Sequence, residues 1–195
     1  MNETIEYYNE NSNSYFEVTV GSNMDSIYEE YFKMLPKGHI LDLGCGSGRD
    51  SKAFLSRGYT VTSIDGSEAM VDIASKYTGQ EVLLMDIENL YFQNKFNGIW
   101  ACASLLHINK SNMKRVLTSL RDLLTEDGYM YMSFKNRDSE YIDAAGRYFN
   151  CYSEEGIRSQ LDNIEGLNIE KVFITSGAKK GDEEETWLNV ICKRV

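Results

Sequence analysis

The residues of this chain that are best suited to chemistry form a glycine-rich run with acidic side chains before and after it. The run extends from Asp42 to Gly48 with the sequence DLGCGSG, and its glycines directly follow the apolar segment 39–43. Glycines allow the backbone to turn sharply and to approach a ligand closely. Asp65 lies about 20 residues further on, where a carboxylate can accept both hydroxyls of a ribose, and Asp86 is placed to accept hydrogens from an adenine amino group. The pattern predicts a ligand that contains a nucleoside, a class that includes both dinucleotides and adenosyl compounds.

The spacing of the glycines distinguishes between a dinucleotide and an adenosyl ligand. A dinucleotide site favours the pattern G-x-G-x-x-G, and counting from Gly44 the third glycine is replaced by Arg49. The chain also lacks G-x-x-x-x-G-K-[ST], which argues against a P-loop for nucleoside triphosphates. An adenosyl ligand is therefore favoured, and a nicotinamide-dependent oxidoreductase stays open as an alternative.

Strands and helices must alternate if these residues are to meet at one edge of a sheet. The predicted strands are 39–43, 59–64, 81–85, 96–103 and 129–134, and the predicted helices are 24–35, 51–57, one capped by Ser67, and 112–124. A helix at 153–161 and strands at 168–175 and 186–193, joined by a polar connection from Ser176 to Glu185, follow. Segment 7–16 is predicted to be weakly helical. After Lys135 the sequence shows no clear helix or strand pattern as far as residue 150. The alternation predicts βαβ units and a parallel sheet with helices on both faces.

Length, charge and composition narrow the class of protein. The 195 residues suffice for one α/β domain. The formal charge of −10 and the scattered basic residues argue against binding to nucleic acid. No apolar run is long enough to span a membrane, and the polar, acidic start carries no targeting signal, so we expect a cytoplasmic protein. The four cysteines form no C-x-x-C pair, and we expect reduced thiols and no metal site.

Five stretches of the sequence resemble the motifs of class I S-adenosylmethionine (SAM)-dependent methyltransferases. Ile40–Gly48 resembles the first motif of that family, Ile64–Ser67 the second, Met85–Asp86 the third and Phe96–His107 the fourth. Residues 123–129 resemble the segment that precedes the fifth strand. The most similar members are small bacterial enzymes of the tellurite-resistance and general small-molecule type. The resemblance implies an enzyme that transfers a methyl group from SAM and releases S-adenosylhomocysteine (SAH).

The resemblance also implies a fold. It is a Rossmann-like three-layer α/β/α sandwich whose seven-stranded sheet has the order 3-2-1-4-5-7-6, with strand 7 antiparallel. We expect one domain over 1–195, with an N-terminal helical lid at 1–36, a SAM-binding core at 37–134, an acceptor-site cover at 135–152, and a C-terminal helix and antiparallel strand pair at 153–195. Asn97 and Asp127 depart from the residues common in the family, but they lie away from the implied cofactor contacts.

The family implies a role for each cofactor contact. The contacts carried over are Asp42, Gly44, Cys45, Gly46, Ser47, Gly48, Arg49, Asp65, Gly66, Ser67, Met70, Asp86, Ile87, Ala103 and Ser104, with Tyr8 and Tyr15 as an aromatic lid. The glycine loop and Asp42 would contact the methionine portion of SAM, and Asp65 would hold the ribose. Met70 and Ile87 would enclose the adenine, whose amino group would bind Asp86.

The acceptor site is less readable, because methyl transfer mainly requires that the acceptor be aligned with the methyl group and that water be excluded. His107 follows the fourth strand and is a candidate base or acceptor contact, or else a packing residue. Candidate acceptor-binding residues also include Lys135, Arg137, Arg147 and Tyr148, whose cationic and phenolic groups suit an anionic small molecule or, alternatively, form a solvated surface. A SAM-binding module without turnover stays open as an alternative, and the oligomeric state is not readable from the sequence.

Overall fold

The computed structural model describes residues 3–180 and 183–195. Its helices are α1 Glu3–Thr19, α2 Asp25–Met34, α3 Arg49–Ser56, α4 Glu68–Thr78, α5 Met113–Leu123 and α6 Glu154–Leu161. Its strands are β1 His39–Leu43, β2 Thr60–Asp65, β3 Val82–Leu84, β4 Phe96–Ala101, β5 Leu124–Lys135, β6 Ser139–Ile142, β7 Tyr148–Cys151, β8 Leu167–Lys180 and β9 Glu183–Arg194. Among these elements no helix is both long and apolar enough to cross a membrane.

Seven strands form one sheet in the order β3-β2-β1-β4-β5-β9-β8. The pairs from β3 through β5 are parallel, whereas β9 runs antiparallel to both β5 and β8. The predicted order and the predicted antiparallel strand are thereby confirmed. The last two strands of this sheet are numbered β8 and β9 because β6 and β7, which come before them in the chain, form a separate two-stranded sheet.

The sheet is covered on both faces because its strands are apolar on both sides. One face packs against α5, whose Met113, Val116, Leu117 and Leu120 are buried at helical spacing. The other packs an aromatic cluster from α2 and α3 onto Trp100 and Tyr131. Because parallel strands share a direction, the residues that follow β1, β2, β3 and β4 all lie at one edge of the sheet, where such folds bind their ligands.

Three stretches differ from the sequence prediction. The weakly helical segment 7–16 is part of a continuous helix, Glu3–Thr19. The blurred stretch after Lys135 contains the β6–β7 hairpin, whose short strands gave too few residues for a recognisable alternation. The polar connection predicted from Ser176 to Glu185 is mostly paired strand, because β8 extends to Lys180 and β9 begins at Glu183. Gly181 and Asp182 of that connection, and Met1 and Asn2 of the predicted lid, lie outside the described residues.

Candidate active site

The glycine loop that follows β1 is built from residues in left-handed backbone conformations. The φ angles of Gly44, Gly46 and Gly48 are 71°, 54° and 77°, values that side chains with a Cβ rarely adopt. A Cβ on Gly44 would lie only 2.6 Å from the Cβ of Ser104, and one on Gly46 would lie 3.4 Å from the ring of Tyr15. The loop therefore needs glycine both for its conformation and for the close approach of its neighbours.

Asp65, at the end of β2, fastens this loop to the adjacent strand. Its two carboxylate oxygens accept hydrogen bonds from the backbone N–H groups of Gly46 and Ser67, each at 2.9 Å. Burial raises the pKa of Asp65, although these N–H donors oppose that effect. Each carboxylate oxygen can accept more than one hydrogen bond, so the group retains capacity for a ligand.

Ser104 presents a buried hydroxyl to the same edge. The residue is 6% exposed, and its Oγ has no hydrogen-bond partner among the described residues. The preceding residue, Ala103, has a φ of 52° and donates its N–H to the Oγ of Ser133 at 2.9 Å. Leaving a buried hydroxyl unsatisfied costs about 1–3 kcal/mol, so a ligand that paired with Ser104 would remove that cost.

A charged network lies behind the loop. Asp50 accepts two hydrogen bonds from Arg49, at 2.6 and 2.9 Å, and others from the Tyr28 hydroxyl and the Trp100 indole. The cation of Arg49 and these hydrogen bonds lower the pKa of Asp50, although burial opposes them. Arg49 is thus paired with a neighbouring residue, and it reaches Cys102 at 3.5 Å.

Asp42 is buried beside that network. Its carboxyl accepts a hydrogen bond from the Ser51 hydroxyl at 2.5 Å. Burial and the nearby charge of Asp50 raise the pKa of Asp42 to about 8. Asp42 therefore contacts the protein interior through Ser51, and the neutral carboxylic acid is favoured at this position.

The remaining predicted cofactor contacts surround the loop at different depths. Cys45 is buried against Ala74, Ser47 is buried, and Met70 is 1% exposed. Asp86 is exposed and caps the short 3₁₀ turn Ile87–Asn89, with its two oxygens accepting from Glu88 N–H and the Asn89 side chain. Within that turn, the Cδ1 of Ile87 lies 3.5 Å from where a Cβ on Gly44 would be, so this apolar side chain faces the loop.

His107 lies in a short 3₁₀ turn after β4, and its two nitrogens have different partners. Nδ1 is 2.7 Å from the carbonyl oxygen of Tyr148. A carbonyl only accepts, so Nδ1 carries the hydrogen. Nε2 therefore has the lone pair, and it accepts the hydroxyl of Tyr8 at 2.9 Å. Burial lowers the pKa of His107 to about 4 and raises that of Tyr8 to about 12, so both groups are neutral near pH 7.

Helix α1 connects the loop and the histidine. On one side, the Ser67 hydroxyl donates to Asn9 at 2.7 Å, and a Cβ on Gly66 would lie 2.9 Å from Ile5. On the other side, Tyr8 reaches His107, and Thr4 Oγ1 accepts the backbone N–H of Tyr148 at 3.1 Å. The rings of Tyr8 and Tyr15 meet edge to face at a centroid distance of 5.0 Å.

The cations of the predicted acceptor cover already have partners. Lys135 lies 2.8 Å from Glu185, and Arg137 lies 3.5 Å from the same carboxylate. Arg147 pairs with Asp143 at 2.7 Å and stacks over the Tyr7 ring at 4.3 Å. Tyr148 donates its hydroxyl to Glu140, away from His107.

Sequence reasoning missed several residues of this site. Asn9 holds α1 to Ser67 and to the N–H of Ala69, and its position directly after Tyr8 of the predicted aromatic lid was its only signal. Phe149, whose ring centroid is 5.0 Å from that of His107, and Tyr141, which stacks on Phe149, carried no local signal. Both are in the hairpin, and only the tertiary fold brings them to this edge.

Comparisons with known proteins agree with this geometry. Residues 40–128 match the family model described as a methyltransferase domain. A ubiquinone biosynthesis O-methyltransferase from Coxiella burnetii is 31% identical over 105 residues, which cover 51% of this chain and 44% of the relative. The chain thus spans about half the length of the curated relatives it matches.

Solved structures show the same fold at low sequence identity. The magnesium protoporphyrin IX methyltransferase of Synechocystis, crystallised with SAH, superposes with a TM-score of 0.77 at 18% identity and covers 100% of both chains. The 1,6-didemethyltoxoflavin-N1-methyltransferase of Burkholderia thailandensis superposes with a TM-score of 0.68 at 19% identity, covering 92% of this chain and 86% of that one. Residues 40–128 are therefore similar to a methyltransferase domain, and the chain has the same fold as these two methyltransferases.

Proposed function

We propose that this protein is an enzyme that transfers a methyl group from SAM to a small molecule and releases SAH. The observation that carries the proposal is the edge formed by the left-handed glycine loop, the Asp65 carboxylate and the Ser104 hydroxyl, which has no partner among the residues that the structure describes. This edge lies within the segment that matches the methyltransferase family. The named relatives act in ubiquinone biosynthesis, on magnesium protoporphyrin IX and on a toxoflavin precursor, which supports a small-molecule acceptor.

The residues present fit an adenosyl ligand. The backbone of Gly44 to Gly48 would hold the methionine portion together with the buried Ser104 hydroxyl, and Asp65 would accept the ribose hydroxyls. Ile87, which faces the loop, would pack against the adenine, and Asp86 at the adjoining strand end would receive its amino group. Bound SAM would supply a sulfonium whose methyl carbon is already activated for displacement.

The chain's own task is then to align an acceptor and to exclude water. We propose the division expected from the sequence: residues 1–36 as a lid, 37–134 as the cofactor core, 135–152 as the acceptor cover and 153–195 as the closing helix and strand pair. Two features support it. Helix α1 contacts the glycine loop through Tyr15 and His107 through Tyr8, and the hairpin residues Tyr148 and Phe149 contact His107.

The acceptor would bind between α1 and the β6–β7 hairpin. An anionic group on it, distant from the reacting atom, would face Lys135 and Arg137, which share the single carboxylate of Glu185. The net charge of −10 supports an acceptor other than nucleic acid. Four free cysteines support the reducing cytoplasm as the compartment.

Calorimetric titration of the intact protein with SAM, SAH and NAD tests the donor. We expect micromolar binding of both adenosyl ligands and none of NAD. A folded protein that binds neither SAM nor SAH would overturn the proposal, and binding of NAD alone would favour a nicotinamide-dependent oxidoreductase. Tight binding of SAM without transfer to any acceptor of the relatives' classes would favour a SAM-binding module without turnover.

A further inference from the structure

The tautomer of His107 determines what kind of group can meet its free nitrogen. The Tyr148 carbonyl fixes the hydrogen on Nδ1, because a carbonyl cannot donate. Nε2 is therefore an acceptor, and it receives the hydroxyl of Tyr8 from α1. A partner at Nε2 must bring its own hydrogen. A carboxylate has none at neutral pH, and its negative charge would meet the imidazole lone pair.

The group that fills this position in the structure is a phenol. The Tyr8 hydroxyl meets Nε2 at 2.9 Å, and the positive charge of Arg147 lies close enough to lower the pKa of Tyr8 against the effect of burial. The Tyr8 ring is bordered edge-on by Tyr7 and Tyr15, at centroid distances of 5.4 and 5.0 Å. On its other side, His107 is packed against Phe149. The imidazole of His107, the cation of Arg147 and several aromatic rings thus lie around the Tyr8 hydroxyl.

Nε2 has a single lone pair, so a substrate can use it only if Tyr8 withdraws. The Tyr8 side chain comes from α1, which contacts the site through hydrogen bonds of Asn9 and Thr4 and packs against α4 through the Phe16 and Tyr77 rings. From this geometry we infer that the acceptor is a phenol or a similarly acidic aromatic hydroxyl, which replaces the Tyr8 hydroxyl on Nε2 of His107. This inference rests on the proposed function and adds to it the chemical class of the acceptor.

The transfer step balances without a further reactant. The phenolic oxygen forms a bond to the methyl carbon while the carbon–sulfur bond breaks, and the electron pair of that bond remains on sulfur. The phenolic proton passes to Nε2 and then to solvent. The oxygen becomes strongly acidic as its new bond forms, so even a weakly basic imidazole can take the proton. An alkylammonium acceptor would have to lose its proton before attack, and this imidazole is too weak a base to remove it.

The chain offers a direct reporter, because it has only two histidines, His39 and His107. His39 begins β1 at the opposite end from the glycine loop, and it bonds Thr62, so its signal is an internal control. Protein labelled with ¹⁵N-histidine would be studied by two-bond proton–nitrogen correlation, with His39→Gln to assign the signals. We expect His107 to show the neutral Nδ1–H tautomer, and Tyr8→Phe to move its Nε2 signal while His39 stays unchanged. Observation of the Nε2–H tautomer, or an unmoved signal in Tyr8→Phe, would overturn the inference.

Ligand choice is tested in Tyr8→Ala, which removes one phenol side chain from the position. 4-Methylphenol, 4-methylanisole and 4-methylbenzoate would each be titrated while the His107 signal is followed, with and without SAH. We expect 4-methylphenol to shift Nε2 saturably and to bind at least about tenfold more tightly than the other two, which corresponds to about 1.4 kcal/mol. Equal binding of 4-methylanisole, or tighter binding of 4-methylbenzoate, would contradict a phenolic acceptor.

The two proposals fail in different ways. If SAH binds by calorimetry but His107 does not distinguish 4-methylphenol from 4-methylanisole, only the phenolic acceptor is wrong. If SAH does not bind, the proposed function is wrong, and the titrations without SAH still report whether the site prefers a phenol. Should Tyr8→Ala fail to fold, the tautomer and the Tyr8→Phe shift keep the inference testable.

Discussion

Two regions of the molecule contain the same kind of ion pair in different surroundings. In the glycine-loop region, Arg49 pairs with the adjacent Asp50, and their side chains are 19% and 7% exposed. In the β6–β7 hairpin, Arg147 pairs with Asp143, and both side chains are about a quarter exposed, at 24% and 22%. The first pair extends into the core through Tyr28 and Trp100. The second pair joins two residues of the hairpin, and its Arg147 also lies over the Tyr7 ring of α1.

The difference shows which contacts stabilise the cofactor half of the site and which stabilise the acceptor cover. The cofactor half is anchored by a buried carboxylate whose donors come from three separate stretches of the chain. The cover is anchored by a local pair and by rings, and it reaches the rest of the site through α1. We therefore expect disruption of the first region to act on the whole fold and disruption of the second to act locally.

The largest effect is expected from Asp50→Ala. The substitution leaves the Arg49 guanidinium buried without its carboxylate, and it deprives Tyr28 and Trp100 of their acceptor. Removing one partner of a buried ion pair costs about 3–5 kcal/mol, and we expect a loss of free energy of unfolding of about 4 kcal/mol. Urea unfolding followed by circular dichroism measures it. A loss of free energy of unfolding below about 1 kcal/mol would show that the Arg49–Asp50 pair contributes no more than a surface ion pair.

Asp65→Ala should weaken cofactor binding. The carboxylate is the proposed acceptor for the ribose hydroxyls, so we expect the dissociation constant for SAH to rise about 100-fold, or about 2.7 kcal/mol. Calorimetry measures it, with the exposed Asp72 on α4 as the site of a matched Asp→Ala control. An unchanged affinity in a folded Asp65→Ala protein would remove this carboxylate from the cofactor site.

The buried acid Asp42 predicts a pH dependence that the hairpin does not share. Because the pKa of Asp42 is raised to about 8 in the folded protein, the folded state holds a proton that the unfolded chain releases near pH 4. Its stabilising contribution is complete below the unfolded pKa and is lost as pH rises through the folded pKa. We expect the free energy of unfolding of the wild-type protein to fall by about 2 kcal/mol between pH 6 and pH 8.

Asp42→Asn provides the comparison for that effect. The amide can still accept the Ser51 hydroxyl but does not ionise, so the slope attributed to Asp42 should disappear. Urea midpoints at pH 5, 6, 7 and 8 measure the slopes. Parallel curves for wild type and Asp42→Asn would show that Asp42 does not titrate in this range.

Ser104→Ala should weaken binding while leaving stability unchanged or improved. Its hydroxyl is buried and has no partner in the described part of the chain, so removing it relieves an unsatisfied group. If the hydroxyl bonds the cofactor, SAH affinity should fall about tenfold, or about 1.4 kcal/mol. Thermal unfolding and calorimetry on the same samples measure both. A destabilised protein with unchanged SAH affinity would show that this serine acts only in packing.

The smallest effect is expected from Asp143→Ala in the hairpin. The pair with Arg147 is partly exposed, and such pairs contribute about 0–1 kcal/mol. Loss of the backbone hydrogen bonds that Asp143 accepts within the turn adds to this, so we expect a total near 1 kcal/mol and unchanged SAH affinity. A loss as large as that of Asp50→Ala would contradict the distinction between the two regions.

The cofactor half was accessible to sequence reasoning because its signals are local. Gly44 to Gly48 directly follow β1, Asp65 ends β2 and Asp86 follows β3, so the parallel arrangement alone brings them to one edge. The predicted sheet order was confirmed for the same reason. Sequence did not show that both oxygens of Asp65 hold backbone N–H groups or that Arg49 is paired with Asp50.

The acceptor half was decided by tertiary structure. Tyr8 and His107 are 99 positions apart in the chain, and Thr4 and Tyr148 are 144 apart. No periodicity or motif in the sequence predicts either hydrogen bond, because each forms only where α1 crosses the edge of the sheet. The cations at Lys135, Arg137 and Arg147 were visible in the sequence, but their carboxylate partners were not.

The sequence by itself therefore determined the fold, the glycine loop and the strand-end carboxylates, since backbone conformation and strand order depend on residues close together in the chain. Only the tertiary structure decided the tautomer of His107, the phenol that occupies its lone pair and the pairing of the cover's cations. Those properties depend on hydrogen bonds between residues far apart in sequence, which form only when α1 and the hairpin meet over the completed sheet.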